Sequence, residues 1–228
     1  MYGNNKKIGY NIDMKRIIMF LITYLFIGTL SCFADVVPRY TYSILNTGIG
    51  TFNAPNSFTV YEKPDELSKK LLEIKWDDSG LLTDNLAEKE VFSVFVPSKN
   101  IAYCIVEDEI DGWVKIYYSQ SKSLSGWVKT DNKHRFVSWF GFYMSWGRRN
   151  GVYVFNDMPV INKRIMSAAS ANSQKIAGFT WPKYIKLTLV RGNWMLVKML
   201  DFGDEAKVGW MQWRDENGKF LMFPIMTR

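Results

Sequence analysis

From residue 58 onward the chain is written in short runs of β-branched and aromatic residues, separated by turn residues at close intervals. Phe58-Thr59-Val60-Tyr61 is the first such run; Pro64 interrupts it and Leu71-Leu72-Glu73-Ile74-Lys75-Trp76 resumes. Residues 91–96 and 101–106 flank the turn Pro97-Ser98-Lys99-Asn100, whose proline and asparagine suit a reversal of the chain. Period-two runs bounded in this way predict strands. In residues 113–118 both alternate faces are bulky, with Trp113, Lys115 and Tyr117 on one and Val114, Ile116 and Tyr118 on the other. A strand packed on both sides of a curled sheet has that composition. Pro64-Asp65-Glu66-Leu67 reads as a loop with at most one helical turn, although proline followed by acids also fits a helix start. Residues 77–90 are polar and contain the turn Asp77-Asp78-Ser79-Gly80.

The pattern changes between residues 136 and 146. Phe136, Trp139 or Phe140, Tyr143 and Gly147 recur at helical spacing, and Asn150-Gly151 offers a stop. This predicts a short aromatic helix whose stripe packs at a joint between two units. Strands return at residues 152–155, 175–177, 185–190, 194–200 and 208–213, and residues 220–224 close the second unit. Residues 35–57, with Pro38, Gly48, Gly50 and Pro55, read as an extended lead-in.

One device occurs twice. Gly112-Trp113-Val114-Lys115 is followed by Gly126-Trp127-Val128-Lys129, and later Gly192-Asn193-Trp194-Met195 is followed by Gly209-Trp210-Met211-Gln212. Self-similarity of this kind indicates one small unit used in tandem. Glycine permits the turn, and tryptophan offers the large apolar area that a domain of this size needs, so the four tryptophans are expected in the cores.

These residues resemble the bacterial SH3-like (SH3b) domain family, small curled β-barrels found in exported and cell-wall proteins. Its members tend to carry Ala-Pro-Ser-x-x-Ser-x-x-Ile, then an apolar strand, then Gly-Trp-x-Lys-Val and a final Gly-Trp-Val. The second unit offers Ala169-Ser170-Ala171-Asn172-Ser173-Gln174-Lys175-Ile176 for the first element, without its proline. The first unit offers Lys63-Pro64-Asp65-Glu66-Leu67-Ser68-Lys69-Lys70-Leu71. A much longer stretch separates Ser68 from Trp113 than Ser173 from Trp194, which places an insertion near 77–90. The resemblance implies a mainly β chain of two small SH3-like β-barrels in tandem, joined by a short aromatic helix and preceded by a signal peptide. The expected boundaries are 1–34 for the signal, 35–57 for the lead-in, 58–133 for the first module, 134–150 for the linker helix and 151–228 for the second module.

The signal is read from Lys15-Arg16, the apolar run 17–30 and Ser31-Cys32-Phe33-Ala34, in the order an export signal requires. Met14, just before the basic pair, is the expected natural start. Cleavage after Ala34 is favoured; lipidation at Cys32 and retention as an anchor stay open. Residues 1–34 hold four basic residues and one acidic, so their removal reduces the formal charge of +7 to a mild excess that gives no reason to expect nucleic acid binding. Cys104 would then be the only cysteine, which excludes an internal disulfide, and its apolar surroundings suggest an inert buried thiol.

Catalytic candidates are few. The single histidine, His134, lies in the charged link Lys133-His134-Arg135, and Cys104 sits mid-strand rather than at a helix start, so the two do not make a nucleophile and base pair. No cysteine or histidine pair has metal-ligand spacing, and Glu107, Asp108, Glu109 and Asp111 read as an exposed acidic turn. A carboxylate pair such as Glu107 and Asp111 could in principle act on glycans. The expectation is therefore a non-enzymatic exported protein of the periplasm or cell envelope, with no cofactor and no metal. It would recognise peptidoglycan peptides or another envelope protein through Tyr61, Tyr117, Trp139, Trp146, Trp181 and Tyr184, the aromatic residues at loop or strand ends. Membrane contact would come only through an uncleaved or lipidated signal. The alternative is a scaffold docking onto a membrane or envelope complex.

Overall fold

A computed structural model describes residues 47–155, 158–180, 184–200 and 205–226. The signal segment, Cys32 and Trp181 lie outside the described residues. The described chain is mainly β, and its first sheet curls into a half-barrel.

The first sheet comprises β1 (Gly50–Asn53), β2 (Ser57–Tyr61), β3 (Lys70–Asp77), β4 (Gly80–Leu81), β5 (Phe92–Val96), β6 (Ile101–Ile110), β7 (Trp113–Ser119), β8 (Leu124–Lys129) and β9 (Phe136–Ser138). Its order is β4-β3-β2-β8-β7-β6-β1-β9, with β5 also paired to β6. The second sheet comprises β10 (Val152–Val154), β11 (Arg164–Met166), β12 (Lys175–Gly178), β13 (Tyr184–Arg191), β14 (Trp194–Leu200), β15 (Lys207–Gln212) and β16 (Met222–Pro224). Its order is β12-β11-β15-β14-β13-β10-β16. Without β4 and β5, the two lists are the same topology. Both are open along this path rather than closed, since no pairing among the described residues joins β4 to β9 or β12 to β16.

The correspondence extends to single hydrogen bonds. In the loop between β2 and β3, the Lys63 N–H donates to Ser68 Oγ at 3.1 Å, and in the loop between β11 and β12 the Ala168 N–H donates to Ser173 Oγ at 3.2 Å. Glu62 N–H to Lys69 O at 2.9 Å is matched by Ser167 N–H to Gln174 O at 2.9 Å. The Leu67 N–H donates to Asp65 Oδ1, as the Asn172 N–H does to Ser170 Oγ. Short polar side chains that bond the main chain two residues on hold such loops in one shape. Bulges recur as well, at Val60/Tyr61 and Ile165/Met166, and again at Val106/Asp108 and Leu187/Leu189.

The glycines of the repeat have two distinct duties. Gly112 and Gly192 stand in two-residue turns with φ of 79° and 55°, where a side chain would be strained. Gly126 and Gly209 lie where strands cross closely: a side chain at Gly126 would strike Val60 and the Tyr61 carbonyl, and one at Gly209 would strike Ile165 and the Met166 carbonyl. Trp127 pairs with Tyr61, and Trp210 with Met166, at the same crossing.

The four repeat tryptophans are half-buried rather than central, which corrects the expectation that they fill the cores. Their strands present the alternate positions inward instead: Val114, Ile116 and Val128 in the first sheet, and Met195, Val197 and Met211 in the second. Among the described residues the enclosed indoles are Trp76, Trp139 and Trp213, at 3%, 4% and 2% exposure. Side chains on a strand alternate between faces, so a tryptophan directly behind the glycine takes the outer face once the next residue faces in.

Gly50–Asn53, read from the sequence as lead-in, forms β1 between β6 and β9, with Phe52 opposite Cys104 and Phe136. Phe136 accordingly belongs to a strand, and the helix begins one turn later. It runs through Trp139–Phe142, a π-helical turn Tyr143–Gly147 and Arg148–Asn150, with Ser138 Oγ accepting from the Gly141 N–H at its start. Its end at Asn150 agrees with the expected stop, and residues 62–69 form the expected loop.

The extra stretch of the first unit runs past the expected 77–90 and contains β4, the short helix Glu88–Val91 and β5. Strand β5 pairs with the first half of β6 on the edge whose second half β7 occupies. The result is a two-faced layer. Phe92, Phe95, Ala102, Cys104, Val106, Val114 and Ile116 face the first core, while Val94, Ile105 and Tyr117 join the core that the aromatic helix and the second sheet share.

Candidate functional site

A groove with a volume of about 790 Å³ opens on the second sheet between the loop 168–172 and the hairpin turn 191–194, with Gln212 and Glu216 on its wall. That volume lies within the range of about 300–1,000 Å³ usual for small-ligand clefts. Its chemistry is mixed. Trp194 presents a half-buried ring, Asn172, Asn193 and Gln212 present amides, and Arg191 and Glu216 present opposite charges.

The wall is held by its neighbours. Asn162 Nδ2 donates to Gln212 Oε1 at 2.8 Å, which turns the amide nitrogen of Gln212 away from that bond. Arg214 Nε donates to Asn193 Oδ1 at 2.6 Å, and its guanidinium lies 4.7 Å from the centre of the Trp213 ring. Trp213 Nε1 in turn donates to Gly192 O at 2.8 Å, so the hairpin turn rests on a buried indole.

The corresponding place on the first sheet carries different side chains. Lys129, which pairs with Trp113 as Gln212 pairs with Trp194, forms an ion pair with Glu66 at 2.7 Å. Glu66 stands where the second loop has Ala171. Tyr61 packs edge-on against Trp113 with ring centres 5.6 Å apart, where the second sheet has Met166.

The aromatic residues expected to bind are dispersed. Tyr61 belongs to that packed corner of the first sheet. Tyr117 and Trp139 are buried in the shared core, where Trp139 Nε1 donates to Thr47 O at 2.7 Å. Trp146 packs half-buried against the same core, beside the Tyr103 hydroxyl. Tyr184 stands half-buried at the start of β13, over Gly151. None of these five lines the groove on the second sheet. Choosing aromatics at loop ends passed over Arg191, Asn193, Gln212 and Glu216, and assigned Trp194 to a core. Their legible signal is position, because three of them flank the Gly-Trp strands of the second repeat.

Cys104 is fully enclosed in β6, opposite Phe52 on one side and Phe92 on the other, and burial pushes its thiol far above the ordinary range. A thiol so placed has no thiolate to attack with. His134 sits in a turn closed by Asp131, which accepts from the His134 and Lys133 N–H groups and lies 3.0 Å from the His134 ring. Those bonds hold the Asp131 carboxyl down at about 2. Glu107 is ion-paired with Lys115 at 3.1 Å; burial opposes its ionisation, but the nearby Ser125 hydroxyl and Lys115 ammonium outweigh it and keep its carboxyl below the usual range. Asp111 lies exposed in the hairpin turn. Among the described residues no cluster of three or more His, Cys, Asp or Glu could hold a metal ion.

Fold and groove together define a mainly β protein whose two sheets repeat one strand order, with an open polar cleft on the second among the described residues. No family model matches the chain, and no curated protein matches it.

Proposed function

We propose that this protein is an exported, non-catalytic binding module of the cell envelope, built from two SH3-like units and recognising peptidoglycan peptides or another envelope protein. The observation that carries this reading is the groove on the second sheet, which combines an indole, three amides and both signs of charge. Such a surface suits reversible recognition of a polar chain. The SH3-like assignment draws support from the hydrogen-bonded loop repeated at Ser68 and Ser173, the same residues that carry the resemblance.

The test is co-sedimentation of the chain lacking residues 1–34 with purified peptidoglycan sacculi. Retention that falls when Trp194 is replaced by Ala is the expected result. A protein that stays in the supernatant at every concentration removes the wall-binding reading.

The scaffold reading draws on exposed apolar residues outside the groove. Val160, Ile161, Ile176 and Val208 of the second unit are all exposed, Val160 at 83%, and exposed apolar residues of this size suit a protein partner.

A further inference from the structure

We infer that the two repeats have divided their labour: the groove of the second binds a short peptide with free termini, while the first is locked shut by its own side chains. This rests on the binding role proposed above and goes beyond it by naming one repeat, one groove and one ligand class.

The duplication supplies the comparison. Where the first repeat has Glu66 and Lys129 joined at 2.7 Å, the second has Ala171 and Gln212. Where Tyr61 covers the face of the first repeat next to Trp113, the second has Met166, which is buried and leaves Trp194 on the groove wall. Three substitutions at matched positions thus turn a closed corner into an open cleft on the same backbone.

The lining indicates the ligand. Ala168, Ala169, Ala171 and Gly192 are small and let a main chain approach the loop closely. Gln212, whose Oε1 accepts from Asn162, offers its amide N–H groups to a peptide carbonyl, while Asn193, bonded through Oδ1 to Arg214 and through Nδ2 to the Asp215 carbonyl, fixes the wall. Arg191 suits a terminal carboxylate and Glu216 a terminal ammonium, whereas a neutral sugar would use neither charge.

The experiment is calorimetric titration of the full chain with tetra-alanine, with its acetylated and amidated form, and with an N-acetylglucosamine tetramer. One tetra-alanine should bind per chain, and Arg191→Ala or Glu216→Ala should weaken it about tenfold, the scale of one charge-assisted hydrogen bond. Transplanting the lock with Ala171→Glu and Gln212→Lys should abolish binding; Gln212→Ala, which loses the same Asn162 bond without adding the ion pair, should have the same melting temperature and weaken binding only in part. Removing the first lock with Glu66→Ala and Lys129→Ala should leave the affinity of the second groove as it was. Undiminished binding by the transplanted variant overturns the inference. So does preference for the blocked peptide or for the glycan. Sacculi that retain the protein while tetra-alanine fails to bind would overturn the ligand class alone; tetra-alanine bound without retention on sacculi would overturn the envelope role alone.

Discussion

Trp213 and Trp127 show how differently two tryptophans of one chain can be used. Trp213 is enclosed against Tyr143, with ring centres 4.4 Å apart, and against Phe220, and it holds the 191–194 turn through its indole nitrogen. Trp127 follows Gly126 in the repeated motif yet stays half-buried. Trp213→Ala should therefore cost about 3–5 kcal/mol and Trp127→Ala under about 2 kcal/mol, read from urea unfolding of the two variants. Equal losses would mean that the outer indoles share the core after all. Asp131 gives a residue-scale pH dependence. Its carboxyl is held at about 2 against an ordinary 3.8, first by the His134 N–H and then by the His134 ring. The folded value lies below the unfolded one, so its stabilisation is fully present above about pH 4 and is lost as the pH falls toward 2. Asp131→Asn should lower the melting temperature at pH 6 and leave it unchanged at pH 2; a difference that persists at pH 2 would assign the effect to something other than the charge.

At the scale of elements, turn chemistry was the most legible part of the sequence. Pro97 to Asn100, Gly112, Gly192 and Asn150-Gly151 each mark a reversal or stop, because each depends on a few adjacent residues. The strand β1 was not legible. Gly50-Thr51-Phe52-Asn53 is too short to show a period, and it becomes a strand because β6 and β9 lie on either side of it. The insertion was visible as a length difference, while its purpose was not. By adding β5 to the edge of β6 it widens the layer that meets the aromatic helix, and Val94 takes its place in the shared core.

At the scale of the molecule the two sheets are not beads on a string. Ile105 and Tyr117 from the first, the helix residues Trp139, Phe142 and Tyr143, and Leu187, Trp213 and Phe223 from the second form one apolar cluster. Trp139 Nε1 reaches Thr47 O ahead of β1, and the Tyr143 hydroxyl donates to Met222 O at 2.6 Å, so the helix is bonded to both units. A shared core predicts a single cooperative unfolding transition, with coincident near- and far-ultraviolet circular dichroism. Trp139→Ala should lower its stability by about 3–5 kcal/mol, as expected for loss of a buried indole. Two separated transitions in the unsubstituted chain would show that the sheets fold independently.

By itself the sequence determined the β class, the turns and a short helix, because periodicity and turn geometry reside in neighbouring residues. The burial of Trp139 rather than Trp127, the groove beside Trp194 and the Glu66–Lys129 ion pair at the matching place on the first sheet were decided by tertiary structure. Each depends on what residues far along the chain bring to one face: Thr47 to Trp139, Glu66 to Lys129, Ala171 to the space beside Gln212. A single strand specifies that it has two faces, and only the packing of the others against it determines which becomes core and which remains free to meet a ligand.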